Sequence, residues 1–261
     1  MSQIQSIAAQ LDDAARHAHA ISQFDPQGAL SLEDAYAIQR TSIERRLVRG
    51  ERRVGVKMGF TSRAKMAQMG LSDVIWGRLT SAMQVEEGSA IDLSRYVHPR
   101  VEPELAFVLK RGLHGNETGP AALAAVEAIA PALEIIDSRY RDFRFSLSEV
   151  IADNASSSGF VIGPWSDPRA DFSNLGLVMS IDGRTVQVGS TAALLGHPLR
   201  SLVAAARLSA AAGEPLEAGD VVMAGGATSA EWLKPGQYIG VEMERIGRAG
   251  FHTDRQRLIG Q

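Results

Sequence analysis

Three glutamates stand where a water-soluble chain has least reason to place them. Glu102 and Glu104 flank Pro103 at the head of the run Arg100–Lys110, and Glu134 is embedded in the apolar stretch Ala130–Asp137. Leu105 to Leu109 is rich in strand-forming residues with basic residues on either side, so this run reads as a buried β-strand. Side chains at i and i+2 share one face of a strand, so Glu102 and Glu104 project side by side. Two half-buried carboxylates that close repel each other, at a cost on the order of several kcal/mol unless something positive lies between them. A hard divalent cation is the simplest remedy: oxygen-only ligands suit Mg²⁺, Mn²⁺ or Ca²⁺. Edge-strand glutamates in solvent or paired with arginine are the plain alternative. Burying Glu134 as well would repeat the same cost, and a cluster of three around one cation, completed by water or substrate, is the economical reading. Asp137, three positions beyond Glu134, faces the other side of a continuing strand and ranks behind it. Glu127, in the Ala-rich stretch 121–130, reads as a solvated helix residue.

Bulk composition narrows the class of protein. The chain has 261 residues and 28.0 kDa, enough for one large domain or a small and a large one. Its net charge is −3 with a pI near 6.1 and its 27 basic residues are scattered, which argues against nucleic acid or an anionic membrane as a partner. There are no cysteines, so disulfides, thiolate catalysis and zinc–thiolate sites are excluded. No apolar run approaches the roughly 20 residues of a membrane span, and the N-terminus lacks a signal-peptide pattern, so a cytoplasmic address is expected.

The elements that must position these groups can be outlined. Ile4, Ile7, Ala8, Leu11, Ala14, Ala18 and Ile21 recur at helical spacing, and Asp25–Gly28 breaks that helix. Ser31 caps a second helix reaching about Arg49, with Asp34 placed for a capping interaction. From Arg53 onward short β-like runs follow: 54–60, 101–109, 133–137, 160–162, 175–181, 185–188, 221–224 and 238–251. An Asp182-Gly183 turn forms a hairpin. Pro198 begins a helix that Gly213 ends. Helices first and then mostly strands predict an α+β fold, with a helical cap region at 1–52 and a mixed β-roll catalytic domain at 53–261. No G-x-G-x-x-G follows a strand, so a dinucleotide-binding fold is not indicated.

The strings Gly55–Ser62, Pro99–Glu104, Pro131–Arg139, Asp153–Ser157 and Leu195–Pro198 resemble, in order along almost the whole chain, the hydratase/decarboxylase family of catechol meta-cleavage pathways. That family belongs to the fumarylacetoacetate hydrolase superfamily. Within it, Gly59–Met66, Ile75–Arg78 and Gly189–Ala193 are most similar to the branch that decarboxylates 4-oxalocrotonate (2-oxo-3-hexenedioate). The sister branch hydrates 2-hydroxypenta-2,4-dienoate and resembles itself in an acidic residue at the place of Ile75; here Asp73 lies two residues earlier. The resemblance implies the mixed β-roll, Mg²⁺ or Mn²⁺ on Glu102, Glu104 and Glu134, and a 2-oxo dicarboxylate substrate that loses CO₂ through a dienolate. Chelation of the C1 carboxylate and C2 keto oxygen would draw the electrons onto that oxygen, so neither nucleophile nor organic cofactor is required. It also implies assembly as a homo-oligomer and a complex with the pathway hydratase. Acylpyruvate hydrolysis is a third reading, but no His–carboxylate pair to activate water is evident near the N-terminal region. A non-catalytic scaffold would lack the carboxylate cluster.

Four further residues are candidates. Lys57, between Gly55 and Gly59, reads from its surroundings as an aggregation-limiting edge lysine. The resemblance instead places it in the active site, holding a substrate carboxylate or moving the proton. Ser156, in the Asn154–Ser158 loop, could hold an oxyanion. Thr228, after the Gly225-Gly226 pair, offers a similar donor. Arg139 could pair bidentately with the distal carboxylate, or with Asp137 or Asp142 as a structural bridge. His197 reads as a helix cap.

Overall fold

The computed structural model describes residues 2–62, 66 and 72–254. Residues 63–65 of the Gly59–Met66 motif and the end of the 53–261 region lie outside them. Helix α1 spans Gln3–Arg16, opened by a capping box in which Ser2 and Gln5 bond reciprocally. It stops short of Ile21 because that residue is used elsewhere: its N–H donates to the Arg139 carbonyl at 2.8 Å, and its carbonyl accepts from Arg141 at 3.0 Å. Helix α2 spans Leu32–Val48, with Ser31 accepting the Asp34 N–H at 3.0 Å. Among the described residues three more α-helices are delimited, α3 (Gly119–Leu123), α4 (Leu147–Ala152) and α5 (Pro198–Ala211).

The strands, in order, are β1 (Arg53–Gly59), β2 (Ile75–Thr80), β3 (Gln84–Val85), β4 (Ala90–Ile91), β5 (Arg100–Leu109), β6 (Val126–Ile136) and β7 (Ser157–Ile162), then β8 (Gly176–Ile181), β9 (Arg184–Ser190), β10 (Val221–Met223), β11 (Glu231–Trp232), β12 (Tyr238–Met243) and β13 (Gly247–Thr253). They form two sheets. The larger runs β2-β1-β10-β5-β6-β7-β3, with β11 added alongside β5, and the smaller runs β4-β13-β12-β8-β9. This is the expected α+β architecture, helical at the N-terminus and curled β thereafter.

Two expectations change. The Ala-rich stretch is not one helix: α3 is short, and β6 begins at Val126, so Glu127 is an exposed strand residue. Pairing with the long β5 overrides the helical preference of alanine. The run 238–251 is also split, by a turn in which Arg245 adopts φ 62°.

Strand alternation divides the labour of β5 and β6. Val101, Leu133 and Ile135 face the smaller sheet, packing with Met179, Ile239, Val241 and Phe251. The opposite face carries Ala106 and Ala132, which pack with Phe160, Met223, Leu79 and Ile43 of α2. Glu102, Glu104 and Glu134 belong to this second face by parity. Helices α1 and α2 share a further core with Ile75, Tyr140, Val150 and Ile151.

Gly55 is the closest approach in the large sheet. It has φ +149°, and a Cβ there would lie 1.8 Å from the Val221 carbonyl oxygen across the β1–β10 pair. Gly55→Ala is therefore expected to cost about 3 kcal/mol or more in urea-induced unfolding, since backbone cannot give way as a flexible side chain does. An unchanged unfolding midpoint would show that β1 absorbs the methyl group.

Candidate active site

The β5–β6 register sets Glu102 directly opposite Glu134 and Glu104 opposite Ala132, two pairs further along. One carboxylate oxygen from each glutamate falls within 4.8 Å of the others. Glu104 and Glu134 are fully buried and Glu102 is partly so. Glu104 Oε2 accepts the Gly225 N–H at 2.8 Å, while its other oxygen and Glu134 Oε1 have no hydrogen-bond partner.

Lys57 reaches the cluster across the sheet. On β1 it pairs with Met223, which pairs with Ala106 of β5, so all three share the glutamate face. Its Nζ lies 3.0 Å from Glu134 Oε2 and donates to the Ala155 carbonyl at 3.0 Å. Burial works to lower the Lys57 pKa, but Glu134, then Glu104 and Glu102, outweigh it, and the ammonium is held above its ordinary value. Glu104 moves the other way for a carboxylate. Burial first and the Glu134 charge second push it well above the usual range, against the pull of Lys57 and the Gly225 N–H. Three carboxylates and one ammonium meet in a largely buried, oxygen-rich setting, with orphaned lone pairs on Glu104 and Glu134. That donor set and charge fit a hard divalent cation.

Two loops complete the site. Gly225 (φ +110°) lies against Thr61, and a Cβ on Gly226 would come within 2.4 Å of Glu102 Oε2, so the loop passes the carboxylates only because both residues lack side chains. On the other side, Asn154, Ala155 and Ser156 are consecutive left-handed residues with φ of 53°, 51° and 61°. The Asn154 amide clamps this strained segment, accepting from Arg78 N at 2.8 Å and donating to the Arg78 carbonyl at 2.9 Å. The strain aims the Ala155 carbonyl at Lys57 and leaves the buried Ser156 hydroxyl with no hydrogen-bond partner. Between the loops lies a cleft of about 100 Å³. Lys57, Glu102, Thr61 and Ser156 line one part of it; Phe60, Ile75, Phe145 and Val150 form an apolar wall.

The structure thus brings Lys57, Ser156, Glu102, Glu104 and Glu134 together, and leaves Arg139 and Thr228 out. Arg139 is buried behind the Asn154–Ser156 segment, where Nε donates to Asp153 Oδ1 at 2.5 Å and Nη2 to the Asp153 carbonyl at 2.8 Å. Asp137 and Asp142 form no ion pair with it; Asp137 accepts the Val97 and His98 N–H groups at 2.8 Å each and acts on Arg139 only through its charge, behind Asp153. Burial pushes the Asp153 carboxyl up to about 6 against the pull of Arg139. Thr228 donates to the Ser229 carbonyl at 3.0 Å and packs its methyl near Gly189, away from the cleft lining. His197 is the N-cap of α5, accepting the Leu199 N–H at 3.1 Å. Sequence reasoning missed the Ala155 carbonyl, the Gly225 N–H, Thr61 and the walls supplied by Phe145 and Val150. Only the Gly225-Gly226 doublet signalled a close backbone approach.

Residues 52–252 match the family described as fumarylacetoacetate (FAA) hydrolase C-terminal, and the chain belongs to that family. It is 59% identical over 254 residues to a 4-oxalocrotonate decarboxylase of Pseudomonas sp, spanning 97% of this chain and 99% of the relative. A 2-keto-4-pentenoate hydratase of Paraburkholderia xenovorans is 37% identical over 88% of this chain and 87% of its own. The structure of 4-oxalocrotonate decarboxylase from Pseudomonas putida G7, complexed with magnesium and adipate, superposes with a TM-score of 0.92 at 37% identity, covering 96% of this chain and 97% of that one.

The raised Glu104 pKa has a consequence for metal binding. In metal-free protein this carboxyl retains a proton above the usual carboxylate range, and a cation entering the cluster must displace it. Mn²⁺ binding is therefore expected to tighten as pH rises and to release a proton. Calorimetric titration in two buffers of different ionisation enthalpy reads that proton directly. Identical heats in both buffers would contradict the assignment, and Glu104→Gln should abolish the difference.

Proposed function

We propose that this protein decarboxylates 2-oxo-3-hexenedioate (4-oxalocrotonate) to 2-hydroxypenta-2,4-dienoate and CO₂ in the meta-cleavage breakdown of catechols. Glu102, Glu104 and Glu134 hold one Mg²⁺ or Mn²⁺ in this reading. The observation that carries it is the buried carboxylate trio, two of its members with unpartnered oxygens, opening onto an apolar wall. The high identity to a decarboxylase over the full chain supports the same reading.

A bound divalent cation supplies Lewis acidity toward the 2-oxo acid end of the substrate. The remaining work falls to the protein. As the C5–C6 bond breaks and CO₂ departs, its electron pair moves through C4 and C3 to the C2 oxygen, which then needs one proton to give the dienol. Lys57 is the cation lining the cleft among the described residues, holds its proton at neutral pH and stands 3.0 Å from Glu134, so it orients the substrate and delivers the proton. The unpartnered Ser156 hydroxyl donates to a substrate carboxylate oxygen. Phe60, Ile75, Phe145 and Val150 keep water from the distal carboxylate. That carboxylate loses its charge as CO₂ forms, so a dry wall disfavours the starting state more than the transition state.

Ile75 also bears on the sister reaction. Hydration needs a group that moves protons onto carbon, and an aliphatic side chain at that place in the cleft supplies none. A homo-oligomer that associates with the pathway hydratase fits the chemistry, since the dienol product is that enzyme's substrate.

Incubation of the Mg²⁺-loaded protein with 2-oxo-3-hexenedioate is expected to yield CO₂ and the dienol in equal amounts. Water addition without CO₂ would replace this reading by the hydratase one. Glu102→Gln, Glu104→Gln and Glu134→Gln should each weaken Mn²⁺ binding and abolish turnover in a protein that still unfolds cooperatively.

Lys57→Ala separates the proton-delivery role from a purely structural one. It should lower kcat by roughly 10²–10⁴-fold, the usual contribution of a positioned general acid, with Mn²⁺ affinity retained. Lys57→Arg keeps the charge but misplaces it and should recover little. An alanine variant with wild-type kcat/KM would return Lys57 to a structural role.

A further inference from the structure

The apolar wall of the cleft is gripped from outside by residues that the decarboxylation chemistry leaves unused. Phe145 supplies part of that wall, and it stands between the fully buried Tyr140 and the Ser146 cap of α4. Residues 141–145 bridge these two anchors. Arg141, Asp142 and Arg144 are exposed, so the side chains able to fix the bridge are its two phenylalanines. Asp142 and Phe143 both have left-handed backbone, with φ of 58° and 57°. A bulky aromatic residue rarely adopts that conformation and keeps it only where its surroundings impose it.

The surroundings of Phe143 form a four-sided box. The Arg100 guanidinium lies 5.5 Å from its ring centroid, the His98 ring 5.2 Å away and the Trp232 ring 5.8 Å away at an angle of 86°. Phe145 closes the box at 5.7 Å. The three other members are fixed to the large sheet or its approach. Arg100 and Trp232 are cross-strand partners on β5 and β11, and the guanidinium lies 4.8 Å from the Trp232 ring. Arg100 Nη2 donates to the Ala230 carbonyl at 2.8 Å, and the His98 N–H donates to Asp137 at 2.8 Å. Arg100 Nε is buried without a hydrogen-bond partner, a cost that an apolar residue would avoid. What arginine adds is a planar cationic face against which two aromatic rings can pack.

We propose that Phe143 is a positioning residue for the cleft. Gripped by Arg100 and Trp232, it sets Phe145 against the carbon chain of the substrate beyond C2, and so favours a long 2-oxo acid over a short one. This inference rests on the proposed function, which places the 2-oxo acid end at the metal and the rest of the chain along the apolar wall.

Calorimetric titration of the Mg²⁺-loaded protein with 2-oxohexanoate, and separately with pyruvate, tests it. The wild type is expected to bind the six-carbon acid more tightly. Phe143→Leu should weaken 2-oxohexanoate by about three- to tenfold, the range that loss of one aromatic contact converts to, and leave pyruvate within about twofold. Phe143→Tyr keeps the ring and should keep the preference. Arg100→Lys and Trp232→Leu should act in the same direction, and adding either to Phe143→Leu should weaken binding little further, because all three work through one ring. These two single variants decide the matter if Phe143→Leu does not fold. A ratio of the two affinities unchanged in the folded variants, or both affinities falling together, would overturn the proposal. Amide hydrogen exchange of residues 141–145 needs no ligand, and Phe143→Leu should speed it by about tenfold with β5 unchanged. A wild type that binds both acids alike would count against the substrate placement in the proposed function; exchange then decides the role of Phe143 by itself, unaltered rates refuting it.

Discussion

A carboxylate with no exposure to water organises this molecule. Glu134 sits near one end of the β5–β6 strand pair, directly opposite Glu102 and two pairs from Glu104, and its burial has to be offset from every side. The sheet supplies one compensating charge, Lys57, from β1, three strands away from β6, and the oxygen donors of the cluster have the chemistry that suits a hard divalent cation. Replacing this arrangement by an apolar core would cost the protein little in stability and all of its chemistry.

Holding Lys57 in place requires a second device. Its ammonium rests on Glu134 and on the carbonyl of Ala155, a residue in the middle of three consecutive left-handed backbone conformations. Such conformations cost on the order of 1–3 kcal/mol each and persist only where the surroundings over-determine them. Here the surroundings are explicit. Asn154 is bonded on both sides to the backbone of Arg78, and Asp153 is locked by Arg139 from behind. Arg78 is fixed in turn by Glu214 at 2.8 and 2.6 Å and by Gln39 at 2.6 Å. The chain of contacts runs from the α2 helix through β2 to Lys57. The N-terminal helices are therefore part of the frame that positions the site.

The two faces of β5 and β6 explain how a stable protein tolerates this. Residues of odd number on these strands pack into apolar clusters, Val101, Leu133 and Ile135 against the smaller sheet and Leu105, Phe107 and Ile129 in a second core, which hold the strands together whether or not the carboxylate cluster is satisfied. The even face is then free to carry carboxylates. A one-residue slip in register would exchange the two sets, so the apolar interface also fixes the glutamates in their geometry.

Much of this was legible in the residues themselves. Period-two alternation through Glu102 and Glu104, and a glutamate inside an apolar run, followed from local pattern, because strand geometry makes i and i+2 neighbours wherever the strand lies. The helix caps at Ser31 and His197 were equally local. What the sequence could not decide was anything depending on register or approach across the fold. Opposing Glu102 to Glu134 rather than to Ala132 is a property of the β5–β6 ladder, and bringing Lys57 to Glu134 depends on β10 lying between β1 and β5. Arg139 shows the same limit from the other side. By sequence it stands two residues from Asp137 and looks available, yet its partner is Asp153, and Asp137 is spent on backbone N–H groups. The physical reason is that periodicity encodes which face a side chain occupies, whereas the partner it meets there is set by long-range packing, for which a single chain read in order carries no coordinate.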